Sequence, residues 1–263
     1  MSIQVIDRAV AILSLLSNGE QVPLTAIARS LGMALSTTSR ILSSLASHQL
    51  VEQDPSGKYR LGGGLLLLAS GVRHARDLSE LARPALQRLV KQTGEDVGIA
   101  VLEQDRAVVI DSLYGPHALK IIQPRADSFT LNCGFRKILL SYQNDEWIER
   151  YLRETRFPTY TKNVVVRHAA IWNEIRRIRE SGYALSRGEG IEDAGGVAAP
   201  VFNGAGALAA CVFVTAPLSR LTTKVTPKIV RHVLEASQSI TALLSHTNRG
   251  FGGGSTTGYT RAF

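Results

Sequence analysis

The first sixty residues alternate short, periodic apolar segments with polar turns. From about residue 2 to residue 17 apolar side chains recur every three or four positions, which predicts one buried helical face formed by Val5, Ile6, Ala9, Val10, Ile12, Leu13 and Leu16. A second short helix follows, with Thr25 near its cap, and Gly32 stands where a tight turn needs permissive dihedral angles. A third helix begins at Ser36, which we take as its N-cap, and ends near His48.

Two short strands complete this module. Residues 50–53 and 58–61 have strand character, and the segment Asp54-Pro55-Ser56-Gly57 between them is a strong turn signal. Two helices joined by a tight turn and followed by a β-hairpin predict a winged helix-turn-helix.

The pattern of the remaining chain is mixed. After three glycines at 62–64, an apolar helix over 65–76 is predicted to link two domains and to offer a Leu-rich face for a dimer contact. We predict helices over 79–93, 135–143, 145–153, 169–181 and 227–245, and strands over 97–102, 107–113, 119–123, 197–202 and 208–214. Hairpin-linked strands among helices indicate an α+β fold rather than repeated βαβ units. The predicted domains are 1–64, a linker helix over 65–78, 79–248, and a flexible glycine-rich tail over 249–263.

Composition narrows the class of protein. The formal net charge of +8 favours polyanionic partners, although charge alone is a weak indication. The two cysteines, Cys133 and Cys211, have no zinc-site spacing and fit a reducing compartment. The apolar stretches are shorter than the roughly 20 residues that span a bilayer, and no basic-then-apolar signal begins the chain. We therefore expect a cytoplasmic protein without metal, cofactor or membrane contact.

The start of the third helix carries candidate DNA contacts. In a helix-turn-helix the second helix presents its N-terminal residues to base edges and phosphates. Small hydroxyls allow close approach, and an arginine there can bond to guanine or to a phosphate. Basic side chains on the hairpin suit backbone or minor-groove contact. The candidates are Thr25, Ser36, Thr37, Thr38, Ser39, Arg40, Lys58 and Arg60. The alternative is a winged helix used for protein–protein contact, with ordinary capping hydroxyls.

Other apparent sites are weaker. The segment GEGIEDAGG, at 188–196, lacks the spacing of a phosphate-binding loop. Scattered carboxylates such as Asp111 and Glu189 have no spacing that joins a pair to a nucleophile, so we assign no catalytic residue. The arginines at 176, 177 and 179 are interpreted as a solvated helix face, with a secondary DNA or dimer contact as the alternative.

Several segments resemble the IclR family of bacterial transcriptional regulators. VIDRAVAILSLL resembles its first helix, and LTAIARSLGMALSTTSRILSSL followed by GKYRLG resembles its DNA-binding segment. SGYALSRGE and GGVAAPVFNGAGALAACVFVTAP resemble the second half of its effector domain. The resemblance runs from about residue 3 to about residue 245 in the family's order.

The resemblance implies a GAF- and PAS-like domain with a central antiparallel sheet that binds a small organic acid or aromatic metabolite. The implied pocket lies at the loop after the third strand and at the last two strands. Its residues here are Asn132, Cys133, Gly134, Phe135, Ser186, Ala194, Gly196, Phe213 and Thr215. Nearby Arg125, Arg136 and Lys137 could supply a cation for a carboxylate or remain surface charges.

The pocket departs from the usual family pattern. Asn132 stands where His is common, Ser186 where an acid is frequent, Gly196 where Cys is frequent, and Phe213 at a small polar position. Such a pocket could prefer a larger or less acidic ligand, or bind none. The same residues also have structural interpretations: Cys133 as a small buried hydrophobe and Phe213 as core filling.

We therefore expect a homodimeric or dimer-of-dimers repressor that binds operator DNA and responds to a small-molecule effector. Two alternatives stay open. One is a constitutive DNA-binding regulator with a degenerate pocket, and the other is a small-molecule sensor or enzyme whose winged helix serves only for dimerisation.

Overall fold

The computed structural model describes residues 3–17, 19–70, 73–118, 121 and 129–246. Within it the chain divides into two compact units, with the boundary between Arg73 and His74. The predicted tail over 249–263 lies outside the described residues. Among the helices that the structure describes, none combines the length and apolar character needed to cross a bilayer.

The first unit confirms the predicted helix-turn-helix and hairpin. Its helices are α1 (Gln4–Leu16), α2 (Leu24–Ser30), α3 (Leu35–Ser47) and α4 (Gly64–Ser70), and its strands are β1 (Val22–Pro23), β2 (Val51–Gln53) and β3 (Lys58–Leu61). The sheet order is β1-β3-β2, so the hairpin gains a third strand that the sequence pattern did not predict. Gly32 has φ of +61°, as the tight turn between α2 and α3 requires.

Two local predictions in this unit are wrong. Only Ile12 and Leu16 of α1 are fully buried, whereas Val5, Ile6 and Val10 are 54–60% exposed, because the small core covers a single stripe of the helix. Ser36 is not an N-cap: α3 begins one residue earlier, after Ala34, and no side chain caps it.

The second unit is a five-stranded antiparallel sheet with helices on both faces. Its helices are α5 (Arg73–Thr93), α6 (Arg136–Ser141), α7 (Asp145–Glu154), α8 (His168–Ser181) and α9 (Thr226–His246), and its strands are β4 (Asp96–Glu103), β5 (Arg106–Leu113), β6 (Ala184–Arg187), β7 (Ala194–Phe202) and β8 (Leu208–Pro217). The strand order is β5-β4-β8-β7-β6, which confirms the α+β class. Side chains alternate across β8, so that Val212 and Val214 pack with α5 and α9, while Cys211 and Phe213 pack with α6, α7 and α8.

Three boundaries differ from prediction. The helix expected to begin at Ser79 already begins at Arg73, so it includes residues 73–78 of the segment that we assigned to a separate linker, and α4 includes residues 65–70 of it. The strand β6 was missed because it is short and lies directly after a helix. The strand predicted over 119–123 falls largely outside the described residues, and Ile121, which is described, is not in a strand.

Gly98 on β4 makes room for an aromatic side chain from the neighbouring strand. Gly98 pairs with Phe213 in the sheet, and a β-carbon added at Gly98 would overlap the far edge of the Phe213 ring. The ring cannot withdraw easily, because Phe213 is buried and stacks on Phe135 with centroids 4.0 Å apart. This close approach fixes where the ring lies under the pocket region.

Gly98→Ala should therefore lower the free energy of unfolding by about 1–3 kcal/mol, since overpacking forces the ring or the strand to shift. Urea denaturation followed by circular dichroism measures the change. Gly63→Ala is the matched control, because a β-carbon there meets nothing within 4 Å. Equal losses of stability in the two variants would contradict the prediction.

Candidate functional site

The solvent face of α3 is made of hydroxyl groups and one arginine. Ser36 and Arg40 are exposed, and Thr37 and Ser39 are partly exposed. Ser43 and Ser47, which the sequence reasoning did not single out, continue the exposed stripe at helical spacing. The helix contains no carboxylate, and Arg40 makes no ion pair with any described residue. The face thus offers small donors and an uncompensated positive charge.

Thr38 does not belong to this face. Its side chain is 0% exposed, and its hydroxyl donates to the carbonyl oxygen of Ala34 at 3.0 Å. Thr38 therefore turns its hydroxyl back towards the backbone of the first turn rather than towards solvent. We remove it from the candidate DNA contacts, since a buried hydroxyl cannot reach a phosphate.

The hairpin tip is held by one carboxylate. Asp54 Oδ1 accepts from the backbone N–H groups of Ser56 and Lys58 and from the Ser56 hydroxyl, at 2.7–3.0 Å, and these hydrogen bonds lower the pKa of Asp54. The Lys58 side chain is exposed beside this turn. Arg60 instead pairs with Glu52 across the hairpin at 3.0 Å and lowers the pKa of that carboxyl. Of the two basic hairpin residues, Lys58 therefore carries the more available charge.

Thr25 lies on the first turn of α2 and is exposed. It is not the helix cap, because α2 begins at Leu24 after Pro23 and no side chain caps it. Its hydroxyl is therefore available to solvent rather than bound to the backbone of α2.

The second unit contains a small cavity at the predicted pocket position. Its volume is about 50 Å³. Seven of the nine predicted residues line it, namely Cys133, Gly134, Phe135, Ser186, Ala194, Gly196 and Thr215. The sequence reasoning missed further lining residues: Ile121, Phe129, Gly190, Ile191, Gly195 and Val214, together with Arg136, which it had noted only as nearby. The loop between β6 and β7 therefore contributes more of the cavity wall than expected.

The two remaining predicted residues do not line the cavity but support its wall. Asn132 is 2% exposed, accepts from the Thr130 hydroxyl at 2.5 Å and donates to the carbonyl oxygen of Val165 at 2.6 Å. Phe213 lies behind Phe135 in the stacked pair described above. Both side chains are committed to internal contacts, so we assign them positioning roles.

The glycines of GEGIEDAGG lie where the backbone is closely approached or has a positive φ. A β-carbon at Gly190 would lie 2.9 Å from the ring of Phe129 and 3.1 Å from the Cys133 sulfur. Gly188 has φ of +66°, a backbone conformation that side chains disfavour. Gly195 and Gly196 instead approach the carbonyl oxygens of Ser186 and Val214, on the neighbouring strands β6 and β8.

A buried ion cluster ties these loops together. Lys137 is 3% exposed, and its ammonium donates to Glu189 Oε1 at 2.5 Å, to Glu174 Oε1 at 3.0 Å and to the carbonyl oxygen of Leu185 at 3.0 Å. The other Glu189 oxygen accepts from the backbone N–H of Gly134 at 2.8 Å. Glu189, which the sequence left without a role, therefore joins both walls of the cavity.

Arg136 supplies a cation at the cavity wall. The residue is 5% exposed, and its guanidinium lies 4.5 Å from the centroid of the Phe135 ring and 5.3 Å from that of Phe129. Such ring faces stabilise a desolvated cation. Among the residues that the structure describes, no group of three or more His, Cys, Asp or Glu is placed to hold a metal ion.

Lys137→Met should lower the free energy of unfolding by about 3–5 kcal/mol, because it leaves the buried Glu189 carboxylate without its cation. Chemical denaturation measures this loss. Arg177→Met is the control: that side chain is 71% exposed and pairs with the same Glu174 at 3.2 Å, so its loss should cost about 0–1 kcal/mol. A similar cost for both variants would show that the cluster does not support the loops.

Cys133 should be unreactive in the folded protein. Burial, and next the charge of Glu189, raise the pKa of its thiol to about 12, so at pH 8 roughly one molecule in ten thousand carries the thiolate. Burial also raises the pKa of Cys211. Reaction with Ellman's reagent should be slow for both thiols in the native protein and fast in guanidinium chloride. Rapid labelling of either native thiol would contradict the buried placement.

The comparisons with known proteins agree with this geometry. A family model described as the bacterial transcriptional regulator IclR C-terminal domain matches residues 71–242, and one described as the IclR helix-turn-helix domain matches residues 5–55. The regulator BhcR of Paracoccus denitrificans is 30% identical over 90% of this chain and 86% of its own length. The repressor AllR of Escherichia coli is 27% identical over 83% of this chain and 82% of its own.

Solved structures show the same fold. An IclR transcriptional regulator from Alicyclobacillus acidocaldarius has a TM-score of 0.79 at 27% identity, covering 92% of this chain and 99% of that one. An IclR homologue from Microbacterium hydrocarbonoxydans, solved in complex with 4-hydroxybenzoate, has a TM-score of 0.77 at 23% identity, covering 91% and 98%.

Proposed function

The chain belongs to the IclR family of bacterial transcriptional regulators, and from that premise we propose that it is a repressor whose affinity for operator DNA is set by a small-molecule effector. The observation that carries the proposal is the solvent face of α3, which combines exposed hydroxyls with Arg40 and has no carboxylate. Such a regulator works in the cytoplasm, where its operator lies.

The proposed DNA interface consists of α3 and the hairpin. Ser36, Thr37 and Ser39 would donate to phosphates, and Arg40 would reach a guanine edge or a phosphate in the major groove. Lys58 and the exposed Thr25 would add backbone contacts. Arg60 would contribute only by exchanging Glu52 for a phosphate, so we expect it to matter less.

We propose that the protein acts as a dimer or a dimer of dimers. A single short recognition helix buries too little surface for operator affinity, and paired half-sites supply the rest. The first unit exposes apolar side chains that a second copy could cover: Ile6 and Val10 on α1 are 57% and 54% exposed. Leu66, Leu67 and Leu68 on α4 are 76%, 74% and 65% exposed. Contiguous exposed apolar groups of this kind commonly mark interaction surfaces.

The cavity of the second unit is the proposed effector site. Seven residues expected from the family resemblance line it, and one structural neighbour was solved with 4-hydroxybenzoate. The relatives named AllR are repressors, which supports the sign of regulation proposed here. An effector changes operator affinity only if it binds the DNA-competent and DNA-incompetent states with different free energies. A candidate effector is therefore tested by measuring the affinity for operator DNA with and without it, which also shows whether it strengthens or weakens binding.

Arg40→Ala should weaken binding to the chain's own upstream operator by about 1–3 kcal/mol, because one base or phosphate contact is lost. Mobility shift at fixed low salt measures the change, since affinity varies steeply with salt. Lys91→Ala is the matched control: it removes one positive charge from an exposed position on α5. If Lys91→Ala lost as much operator affinity as Arg40→Ala, the effect would be due to net charge and not to a contact of Arg40.

Failure of the wild-type protein to bind any upstream DNA, with or without small acids, would overturn the regulator proposal. Operator binding that no effector modulates would instead indicate constitutive regulation.

A further inference from the structure

We propose that Leu35, the first residue of α3, is a specificity-determining residue that contacts the C5-methyl group of a thymine in the operator. This inference rests on the proposed function, in which α3 lies in the major groove. It adds apolar recognition of one base to the hydroxyl and arginine contacts already assigned to this helix.

Leu35 is a large apolar side chain that the fold leaves in solvent. It is 51% exposed, whereas Ile41 and Leu45 of the same helix are at most 8% exposed and belong to the core of the first unit. In the part of that unit that is described, the other exposed large apolar side chains lie on α4, on α1 or directly before α1. Leu35 is therefore on a different helix from the apolar groups that we assign to dimer contact.

The place of Leu35 in α3 is where a recognition helix meets the bases. The N-terminal residues of such a helix contact base edges in the major groove. Leu35 opens α3, and Ser36 and Thr37 follow it in the first turn. A leucine side chain forms no hydrogen bond, so in the groove it gains free energy only by covering an apolar group. Of the groups that base pairs present there, the thymine methyl is the apolar one.

The rest of the solvent face of α3 allows this contact to form. Its residues other than Leu35 and Arg40 have short side chains, which let the helix backbone approach the DNA closely: Ser36, Thr37, Ser39, Ser43, Ser44, Ala46 and Ser47. Leu35 and Arg40 are thus the two side chains of this face that extend beyond the γ position. The helix would therefore recognise two different chemical groups, one through a cation and one through an apolar surface.

The size of the effect follows from burial of one methyl group against Leu35. Removing a group of this size from water changes an equilibrium constant by about fourfold. A dimer that places α3 in two half-sites makes the contact twice, which gives about fifteenfold. No charge takes part in the contact, so the loss should not alter the salt dependence of binding, which phosphate contacts set.

Uracil lacks only this methyl group, so replacing thymine with uracil tests the contact. The probe is the DNA upstream of the chain's own gene, amplified once with dTTP and once with dUTP. Mobility shift at fixed salt gives the Kd of the full chain for each duplex. We expect wild type to bind the thymine duplex about fourfold to fifteenfold more tightly than the uracil duplex. Leu35→Ala should bind the two duplexes with nearly equal affinity.

Three further variants separate this contact from other effects. Arg40→Ala should weaken binding to both duplexes but keep the thymine preference of wild type, because the arginine contacts a different group. Leu35→Met retains an apolar side chain of similar volume and should also keep the preference. Val225→Ala shortens a 40% exposed apolar side chain of the second unit and should change neither affinity.

Leu35→Ala should fold like wild type, because leucine and alanine both favour an exposed helical position. Thermal melting checks this, and Leu35→Gln replaces Leu35→Ala if the latter does not fold. Sedimentation velocity compares the oligomeric state of wild type and variant.

The proposal is overturned if wild type binds the thymine and uracil duplexes equally, or if Leu35→Ala keeps the thymine preference. It is also overturned if Leu35→Ala changes the oligomeric state, since Leu35 would then be a subunit contact. In these cases the wild-type protein still binds its upstream DNA, and the proposed function stands. Absence of wild-type binding to either duplex would instead refute the proposed function.

Discussion

The buried ammonium group of Lys137 is the interaction on which the second unit's cavity depends. It joins Glu174 of α8, the carbonyl of Leu185 on β6 and Glu189 of the following loop, and Glu189 in turn holds the N–H of Gly134. Desolvating a lysine and two carboxylates is costly, and the cost is offset only while every partner stays in place. The cluster therefore makes the positions of the two cavity loops interdependent.

This interdependence bears on how an effector could be sensed. A ligand that contacted Gly134 and Gly190 would act on two loops that are already joined, because Glu189 accepts from the N–H of Gly134. A small ligand offers limited binding free energy, since even the best small ligands gain about 1.5 kcal/mol per non-hydrogen atom. A small-molecule effector can therefore bias a regulator only where its few contacts act on a cooperative part of the structure. The bridged loops are such a part.

The sequence predicted the helices, turns and hairpin of the first unit better than it predicted helix capping and side-chain contacts. The helix-turn-helix and hairpin were predictable because Gly32, Asp54 and Gly57 encode turns locally. The N-cap assigned to Ser36 was wrong because α3 begins at Leu35, so that Ser36 already lies inside the helix. Arg179 illustrates the same limit: it was interpreted as solvated, yet it donates to the carbonyl oxygens of Ser141 and Gln143 at the end of α6.

For the cavity, the sequence indicated which residues lie together but not what each side chain does there. Seven of the nine residues implied by the family resemblance line one cavity. It did not indicate the size of the space, since that depends on whether Phe213 points across Gly98, a contact between neighbouring strands. It also placed Arg136 only nearby, because an arginine after a loop resembles a surface charge until the rings of Phe129 and Phe135 are seen to enclose it. The dimensions of this cavity therefore depend on a few side-chain contacts between neighbouring strands and loops.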